Sequence, residues 1–242
     1  MIITSKSNPV IKDIIKLQAD KKFRISEKSY IVEGIKPVKE CIAAGGDIKK
    51  IFCTEELESS FYGAQIVSES VFNAISTEKT PQGVLAVVSL PENRLQPPKS
   101  SCILLDRLQD PGNLGTIIRT ANAAGYNEIY AINCTDAYSP KAVRASMSGI
   151  FFVKVYTGTC EEILSALEGV PLISADMLGE DIFKFTPPEK FCLCIGNEGG
   201  GLSPQIKDKS QYKVKIPMQK TCESLNAAVS AGIAMYQLKY SK

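Results

Sequence analysis

Beyond residue 100, strand-length apolar runs and helix-length periodic stretches alternate almost without a break. Strands are expected at 102–105, 128–132, 151–156, 171–175, 191–196 and 212–216. Helices are expected at 114–124, from about 140, at 160–167, 204–208 and 224–240. Such alternation restricts a chain to a mostly parallel sheet covered on both faces, because parallel neighbours need crossover connections and helices supply them. The segment 91–100, Pro-Glu-Asn-Arg-Leu-Gln-Pro-Pro-Lys-Ser, holds three prolines in ten residues. Proline denies both helix and ladder hydrogen bonds, so this stretch marks a boundary. Ahead of it lies a smaller α/β unit. Ser7-Asn8-Pro9 opens a helix carrying Val10, Ile11, Ile14, Ile15 and Leu17 at helical spacing. A strand at 30–34, a helix near 35–44 and strands at 48–53 and 83–89 follow. The expected organisation is a domain over 1–92, a Pro-rich linker over 93–100 and a second domain over 101–242.

Composition narrows the chemistry. The 242 residues include no histidine, which excludes Ser-His-Asp and Cys-His hydrolases and the usual proton shuttle at neutral pH. The eight cysteines are scattered, with no Cys-x-x-Cys, so buried reduced thiols are expected and no metal site. No run reaches the roughly 18 to 20 apolar residues that cross a bilayer. The start, Met-Ile-Ile-Thr-Ser-Lys, lacks the layout of a signal peptide, and a cytoplasmic location with no membrane partner is expected. Net charge is only +2. Its distribution is uneven, with eleven Lys/Arg against six Asp/Glu in residues 1–50 and two against six in 51–98. Lys12, Lys16, Lys21, Lys22 and Arg24 form the basic stretch, which suits either a polyphosphate partner or an ordinary solvated helix face.

Three islands sit where expected strands end or helices begin, the places at which α/β sheets collect ligand-binding groups. The first, Asn113-Leu-Gly-Thr-Ile-Ile-Arg119, follows the turn Pro111-Gly112, with Asn113 as the expected cap. Arg119 on the same helix can grip a phosphate or carboxylate as a planar fork, or make a surface salt bridge. The second, Gly196-Asn-Glu-Gly-Gly-Gly201, permits positive φ and close ligand approach but fits neither a Walker motif nor a dinucleotide fingerprint. Glu198 there can cap a helix or orient a substrate. The third, Ile216-Pro-Met-Gln-Lys-Thr-Cys-Glu-Ser-Leu-Asn226, ends a strand and leads into a helix with Ser224 as the expected N-cap. Ala227, Ala228, Ala231 and Ala234 give that helix a flank of small residues, suited to a crowded interior, a subunit interface or a plain core.

In this order the islands resemble the SpoU (TrmH) group of RNA ribose 2′-O-methyltransferases, members of the knotted SPOUT class. The resemblance spans essentially the whole chain. Residues 106–125, 195–204 and 216–229 look like the three motifs of the group. Residues 1–90, with Asn8-Pro9, Lys21-Lys22-Phe-Arg24 and Tyr30-Ile-Val-Glu-Gly34, look like the substrate-binding domain fused ahead of it. The resemblance implies a small N-terminal α/β RNA-binding domain and a methyltransferase domain with a C-terminal trefoil knot. It implies S-adenosyl-L-methionine as cofactor, bound near Ala175, Asp176, Gly196, Asn197, Gly199, Ile216, Met218 and Leu225. It implies Arg119 as the central catalytic residue, with Asn113, Glu198, Ser224 and Asn226 around it, in a homodimer where Arg119 faces the partner's cofactor pocket. A guanidinium stays protonated near pH 7, so its fitting role is to clamp an RNA phosphate and polarise the hydroxyl rather than to take the proton. The basic N-terminal stretch is expected to capture RNA. The implied substrate is structured RNA, ribosomal RNA ahead of transfer RNA. The alternative readings are a transfer RNA methyltransferase or a non-catalytic RNA-binding protein of the same fold.

Overall fold

The computed structural model describes residues 2–240; Met1, Ser241 and Lys242, which close the expected domains at either end, lie outside the described residues. The N-terminal part builds a four-stranded mixed sheet in the order β1-β4-β2-β3. Its strands are β1 (Ser29–Glu33), β2 (Ile48–Cys53), β3 (Gln65–Ile66) and β4 (Val84–Ser89), with β4 antiparallel to both β1 and β2. Helix α1 (Pro9–Ala19) starts where expected. The Asn8 side chain accepts from Val10 N–H, and Pro9 occupies the first turn. Its buried stripe of Ile11, Ile14 and Leu17 joins Ile31, Phe52 and Leu85 of the sheet and Val71, Phe72 and Ile75 of helix α4 (Glu69–Ile75). Helix α2 (Lys21–Ser26) follows α1 after Asp20, which caps it, and helix α3 (Ile35–Ala43) follows β1. Neither α2, β3 nor α4 is expected from the sequence pattern.

Residues 102–240 form the parallel sheet that the alternation predicts. Six strands lie in the order β10-β8-β9-β5-β6-β7, every neighbouring pair parallel. They are β5 (Cys102–Asp106), β6 (Glu128–Ile132), β7 (Lys154–Gly158), β8 (Leu172–Asp181), β9 (Cys192–Ile195) and β10 (Tyr212–Lys215). β5, β6 and β9 are buried along their whole length, as strands covered on both faces must be. Helices α5 (Pro111–Ala124) and α9 (Ala227–Tyr240) share one face. Helix α7 (Cys160–Ala166) and helix α8 (Pro204–Lys209) lie over the other, where Ile163 and Ile206 meet Leu104 and Tyr130. Helix α6 (Pro140–Ala145) packs hard on α5. A Cβ on Gly115 would sit 2.4 Å from the Ala142 carbonyl oxygen, so only glycine allows that approach. Cys102, Cys192 and Cys194 are buried together in the second core, and burial pushes the Cys192 thiol well above its ordinary range.

The two sheets are not separate cores. One continuous apolar cluster contains Tyr30, Val32 and Val84 of the first sheet and Ile103, Ile129 and Leu193 of the second. Tyr30 packs on Tyr138 with ring centroids 5.0 Å apart. Beside them Arg24, only 4% exposed, donates from Nε and Nη2 to Asp136 Oδ2 at 2.9 and 2.6 Å. Its Nη1 donates to the Leu17 carbonyl at 2.6 Å. This overturns the expectation that Arg24 offers its charge to RNA. Four of its five N–H donors are spent inside the protein, fastening α2 to the loop after β6. Lys12, Lys16, Lys21 and Lys22 do face solvent. Among the described residues no helix is long and apolar enough to cross a membrane, and no cluster of His, Cys, Asp or Glu could hold a metal ion.

Candidate active site

The C-terminal ends of β8, β9 and β10 open onto a cleft of about 180 Å³. An irregularity of the sheet creates one wall. Lys213 pairs with Ser174, but the next residue, Val214, pairs with Glu180. The chain between is pushed out of the ladder, which brings Ala175, Asp176 and Met177 to the cleft. Gly179 permits the return, since a Cβ there would lie 2.5 Å from the Val214 nitrogen. The sequence reading stops this strand at Ala175 and misses the excursion. Asp176 accepts from Leu178 N–H at 3.0 Å and pairs with Lys207 at 3.4 Å; these contacts, the amide first, hold its carboxyl below its usual range.

The second wall is the glycine loop, with Gly196, Asn197 and Glu198 facing the cleft. Gly199 does not line it; its N–H turns back to Asn197 Oδ1 at 2.9 Å. Gly201, with φ +60°, is the single left-handed glycine of the loop. Gly196 is glycine for another reason than expected. Its φ is not positive, but a Cβ would stand 2.2 Å from the Gly201 carbonyl carbon and 2.3 Å from the Leu202 nitrogen. The loop closes so tightly on itself, through paired Asn197–Gly201 backbone bonds, that no side chain fits. Two residues that sequence reasoning passes over tie it down. Buried Asp106 accepts from Ser203 N–H at 2.6 Å, and Arg107, at φ +60°, donates to the Gly201 carbonyl at 3.1 Å. The Arg107 carbonyl in turn accepts from Asn197 Nδ2 at 2.9 Å. A buried carboxylate just before a non-glycine left-handed residue is the signal that could have been sought, but φ is invisible in sequence.

Ile216, Met218 and Leu225 form the third wall, with Ser224 at its edge. Ala227 and Ala234 of the small-residue flank also reach the cleft, where larger side chains would fill it. Ser224 is not the cap of α9. The helix starts at Ala227, and Asn226 Oδ1 accepts from Ala228 N–H at 2.9 Å and Val229 N–H at 3.2 Å. Nor is Asn113 a cap. Asp110 takes that place on α5, accepting from Asn113 N–H at 2.8 Å. Its carboxyl is held below the usual range, first by the Lys141 ammonium 2.8 Å away and then by that amide. Relieved of capping, the Asn113 side chain is free to link the islands. Its Nδ2 donates to Glu198 Oε1 at 2.6 Å, and its Oδ1 accepts from Asn226 Nδ2 at 3.0 Å. Glu198, Asn113 and Asn226, far apart in sequence, thus make one hydrogen-bonded chain at the cleft mouth.

Arg119 is not part of this convergence. Six residues beyond Asn113, it lies roughly 120° round the helix and about 9 Å along it. It lines a different cleft, between the two sheets, and carries no hydrogen bond or ion pair among the described residues. Within one protomer the arginine and the Glu198–Asn113–Asn226 chain therefore face different spaces.

This fold and this arrangement of loops match known proteins. Residues 100–236 match the SpoU rRNA Methylase family, and residues 8–86 match the MRM3-like substrate binding domain. The chain belongs to the SpoU family of RNA 2′-O-ribose methyltransferases, with a substrate-binding domain ahead of the catalytic one. It is 33% identical to the 23S rRNA (guanosine(2553)-2′-O)-methyltransferase RlmP of Bacillus subtilis, over 98% of each chain. The AdoMet-bound rRNA methyltransferase of Sinorhizobium meliloti superposes with a TM-score of 0.89 at 30% identity, covering 99% of this chain and 97% of that one. The SpoU methyltransferase AviRb of Streptomyces viridochromogenes, in complex with AdoMet, gives 0.87 at 28% identity, covering 96% of this chain and 97% of its own.

Proposed function

We propose that the chain methylates the 2′-hydroxyl of a ribose in ribosomal RNA, with S-adenosylmethionine held in the cleft at the ends of β8, β9 and β10. The observation that carries this reading is the cleft itself, together with the Glu198–Asn113–Asn226 chain at its mouth. The lining fits the cofactor. Ile216, Met218 and Leu225 offer apolar surface to a flat adenine, and strand-end backbone groups offer hydrogen bonds to its rim. Asp176 and Glu198 place carboxylates where ribose hydroxyls and a cationic centre can use them. When bound, the cofactor supplies an electrophilic methyl group on a sulfonium. Gly196, Asn197, Ala175 and Asp176 orient it, while Gly199 supports the loop from outside.

What remains for the protein is to bring the hydroxyl in line, exclude water and stabilise the charge that develops. Arg119 clamps the RNA phosphate and polarises the hydroxyl, Glu198, Asn113 and Asn226 hold the reacting geometry, and Ser224 lies at the cleft edge. Because Arg119 faces away from its own cleft, we assign it to the cofactor pocket of a second copy, which makes the working unit a homodimer. Exposed Leu178, Phe183, Val229, Tyr236 and Tyr240 on and beside α9 provide apolar surface for that contact. We assign residues 1–92 to RNA capture through Lys12, Lys16, Lys21 and Lys22, residues 93–100 to a linker and residues 101–242 to a knotted catalytic domain. The setting is cytoplasmic. The deciding experiment is mass-spectrometric mapping of 2′-O-methyl sites in ribosomal RNA from cells with and without the gene. One site that vanishes on deletion, and returns when the purified protein and S-adenosylmethionine are added to that RNA, is the expected result. An unchanged methylation map would refute the reading.

A further inference from the structure

A second cleft, of about 480 Å³, opens between the two sheets and shares no lining residue with the first. Its size falls within the roughly 300–1,000 Å³ of small-molecule sites. One wall comes from the N-terminal part, through Ile31, Lys36, Pro37, Thr80 and Gln82. The other comes from the catalytic part, through Arg119, Val143, Arg144, Met147 and Phe151. The charges here are not equally available. Both oxygens of Glu33 are taken, one by the Ser76 hydroxyl and the other by Thr77, whose N–H lies 3.1 Å away and whose hydroxyl lies 3.2 Å away. Glu78 is paired with Arg144 Nε at 2.5 Å, a contact that also joins the two walls. Arg119 is unpaired, and Lys36 has only a long, exposed contact of 3.7 Å with Glu40. Glu40 also lines the cleft, so its three carboxylates balance its three cations, and Arg119 is the lining cation that has no partner among the described residues. Gln82 adds a polar edge: its Oε1 accepts from Ile35 N–H at 2.9 Å, and its Nε2 has no partner among the described residues. The rim includes two consecutive non-glycine residues in the left-handed region, Met147 at φ +44° and Ser148 at φ +69°. Such strain persists where surrounding structure enforces it, and it collects at ligand sites.

Unpaired Arg119, the weakly paired Lys36, an apolar floor and an amide edge together fit a phosphate, a flat base and its hydrogen-bonding rim. We propose that this cleft seats one unpaired nucleotide of the RNA beside the ribose that is methylated, with Lys36 holding its phosphate and Gln82 its base edge. The proposal rests on the reading of the chain as an RNA methyltransferase. Whichever subunit supplies the methyl group, Arg119 acts at the reacting ribose, so a cleft lined by Arg119 adjoins it. The substrate-binding part then reads the RNA at the site of chemistry as well as through its distant lysines.

Two variants and a crosslinking map test this, with ribosomal RNA from cells lacking the gene as the probe. Lys36→Glu reverses an exposed charge. Gln82→Glu keeps the acceptor for Ile35 N–H and removes the Nε2 donor. Each is expected to raise KM for the RNA by about five-fold, the effect of one lost contact, with KM for S-adenosylmethionine unchanged. Ultraviolet crosslinking of the wild type to the same RNA should label peptides within 31–40, 77–82 or 140–151. Unchanged RNA KM in both variants, or crosslinks confined to α1 and α2, would overturn the proposal. The crosslinks need no turnover. A wild type that binds this RNA without methylating it would defeat the functional reading alone, and the map would still decide the cleft.

Discussion

Arg24 offers a sharp test of how the two sheets are held together. Its guanidinium makes four hydrogen bonds, two to Asp136 and one each to the Leu17 and Gln18 carbonyls. The side chain is 5% exposed and that of Asp136 15%. Arg24→Met keeps the apolar stem and removes every donor, leaving Asp136 with an uncompensated charge in a mostly dry site. Breaking a buried pair from one side costs about 3–5 kcal/mol, and the residual exposure of Asp136 puts this case near the lower end, about 3 kcal/mol. With a urea dependence of about 3 kcal/mol per molar for a chain this long, the unfolding midpoint should fall by about 1 M. Equilibrium urea titration followed by circular dichroism reads that shift directly. Adding Asp136→Asn to Arg24→Met removes the stranded charge, so the double variant should be more stable than the sum of the two single losses allows. A midpoint shift below about 0.2 M, or strict additivity, would mean that the pair contributes little and that the apolar cluster around Tyr30 and Tyr138 and the Arg144–Glu78 contact join the two parts without it.

Other expectations concern the site. Arg119→Ala should abolish methyl transfer while S-adenosylmethionine affinity by calorimetry stays near wild type, since the residue lines no part of its own protomer's cofactor cleft and its assigned partner at the second copy's pocket is the RNA phosphate; retention of more than about a tenth of the turnover, roughly 1.4 kcal/mol of barrier, would remove it from the catalytic set. Gly196→Ala should lower cofactor affinity at least about ten-fold, because its Cβ would meet backbone that has no flexible end to move, whereas Gly200→Ala, with nothing within 4 Å of its Cβ, should bind normally. Equal affinities in the two alanine variants would show that the shape of the loop does not matter to the ligand. Neutralising Lys12, Lys16, Lys21 and Lys22 together, with Arg24 left in place, should weaken RNA binding and flatten its salt dependence by about 0.7 in log–log slope for each lost single-strand phosphate contact. A salt slope identical to wild type would make those lysines a solvated face.

Much of this architecture is legible along the chain because the signals are local. Strands β5, β6 and β9 each carry four consecutive apolar residues, a length that fits a strand buried on both faces better than a helix. Asn8-Pro9 marks a helix start because a side-chain acceptor and a missing N–H both suit the first turn. Strand β3, of two residues, is too short for any period to emerge, and the pattern does not announce α2 or α4 either. The capping assignments of Asn113 and Ser224 fail for a different reason. Asp110, Asn113, Ser224 and Asn226 are all chemically able to cap, and the choice of Asp110 and Asn226 depends on where the neighbouring strands deliver the chain. The small flank of α9 was visible as a pattern. That Ala227 and Ala234 keep the cleft open was not, because the opposing wall comes from other strands.

By itself, the amino-acid sequence determined the parallel sheet, the three loop islands at its strand ends and the exclusion of histidine chemistry, since each follows from residue types and their spacing within one stretch. It also carried the motif order by which the family is recognised. Only the tertiary structure decided which groups meet. Asn113 reaches Glu198 and Asn226 across 85 and 113 residues, Arg24 disappears into an ion pair with Asp136, and Arg119 turns to the cleft between the sheets. A polar side chain states what bonds it can make. Which of them it makes is set by partners that long-range packing brings within about 3 Å, and no local pattern encodes that distance.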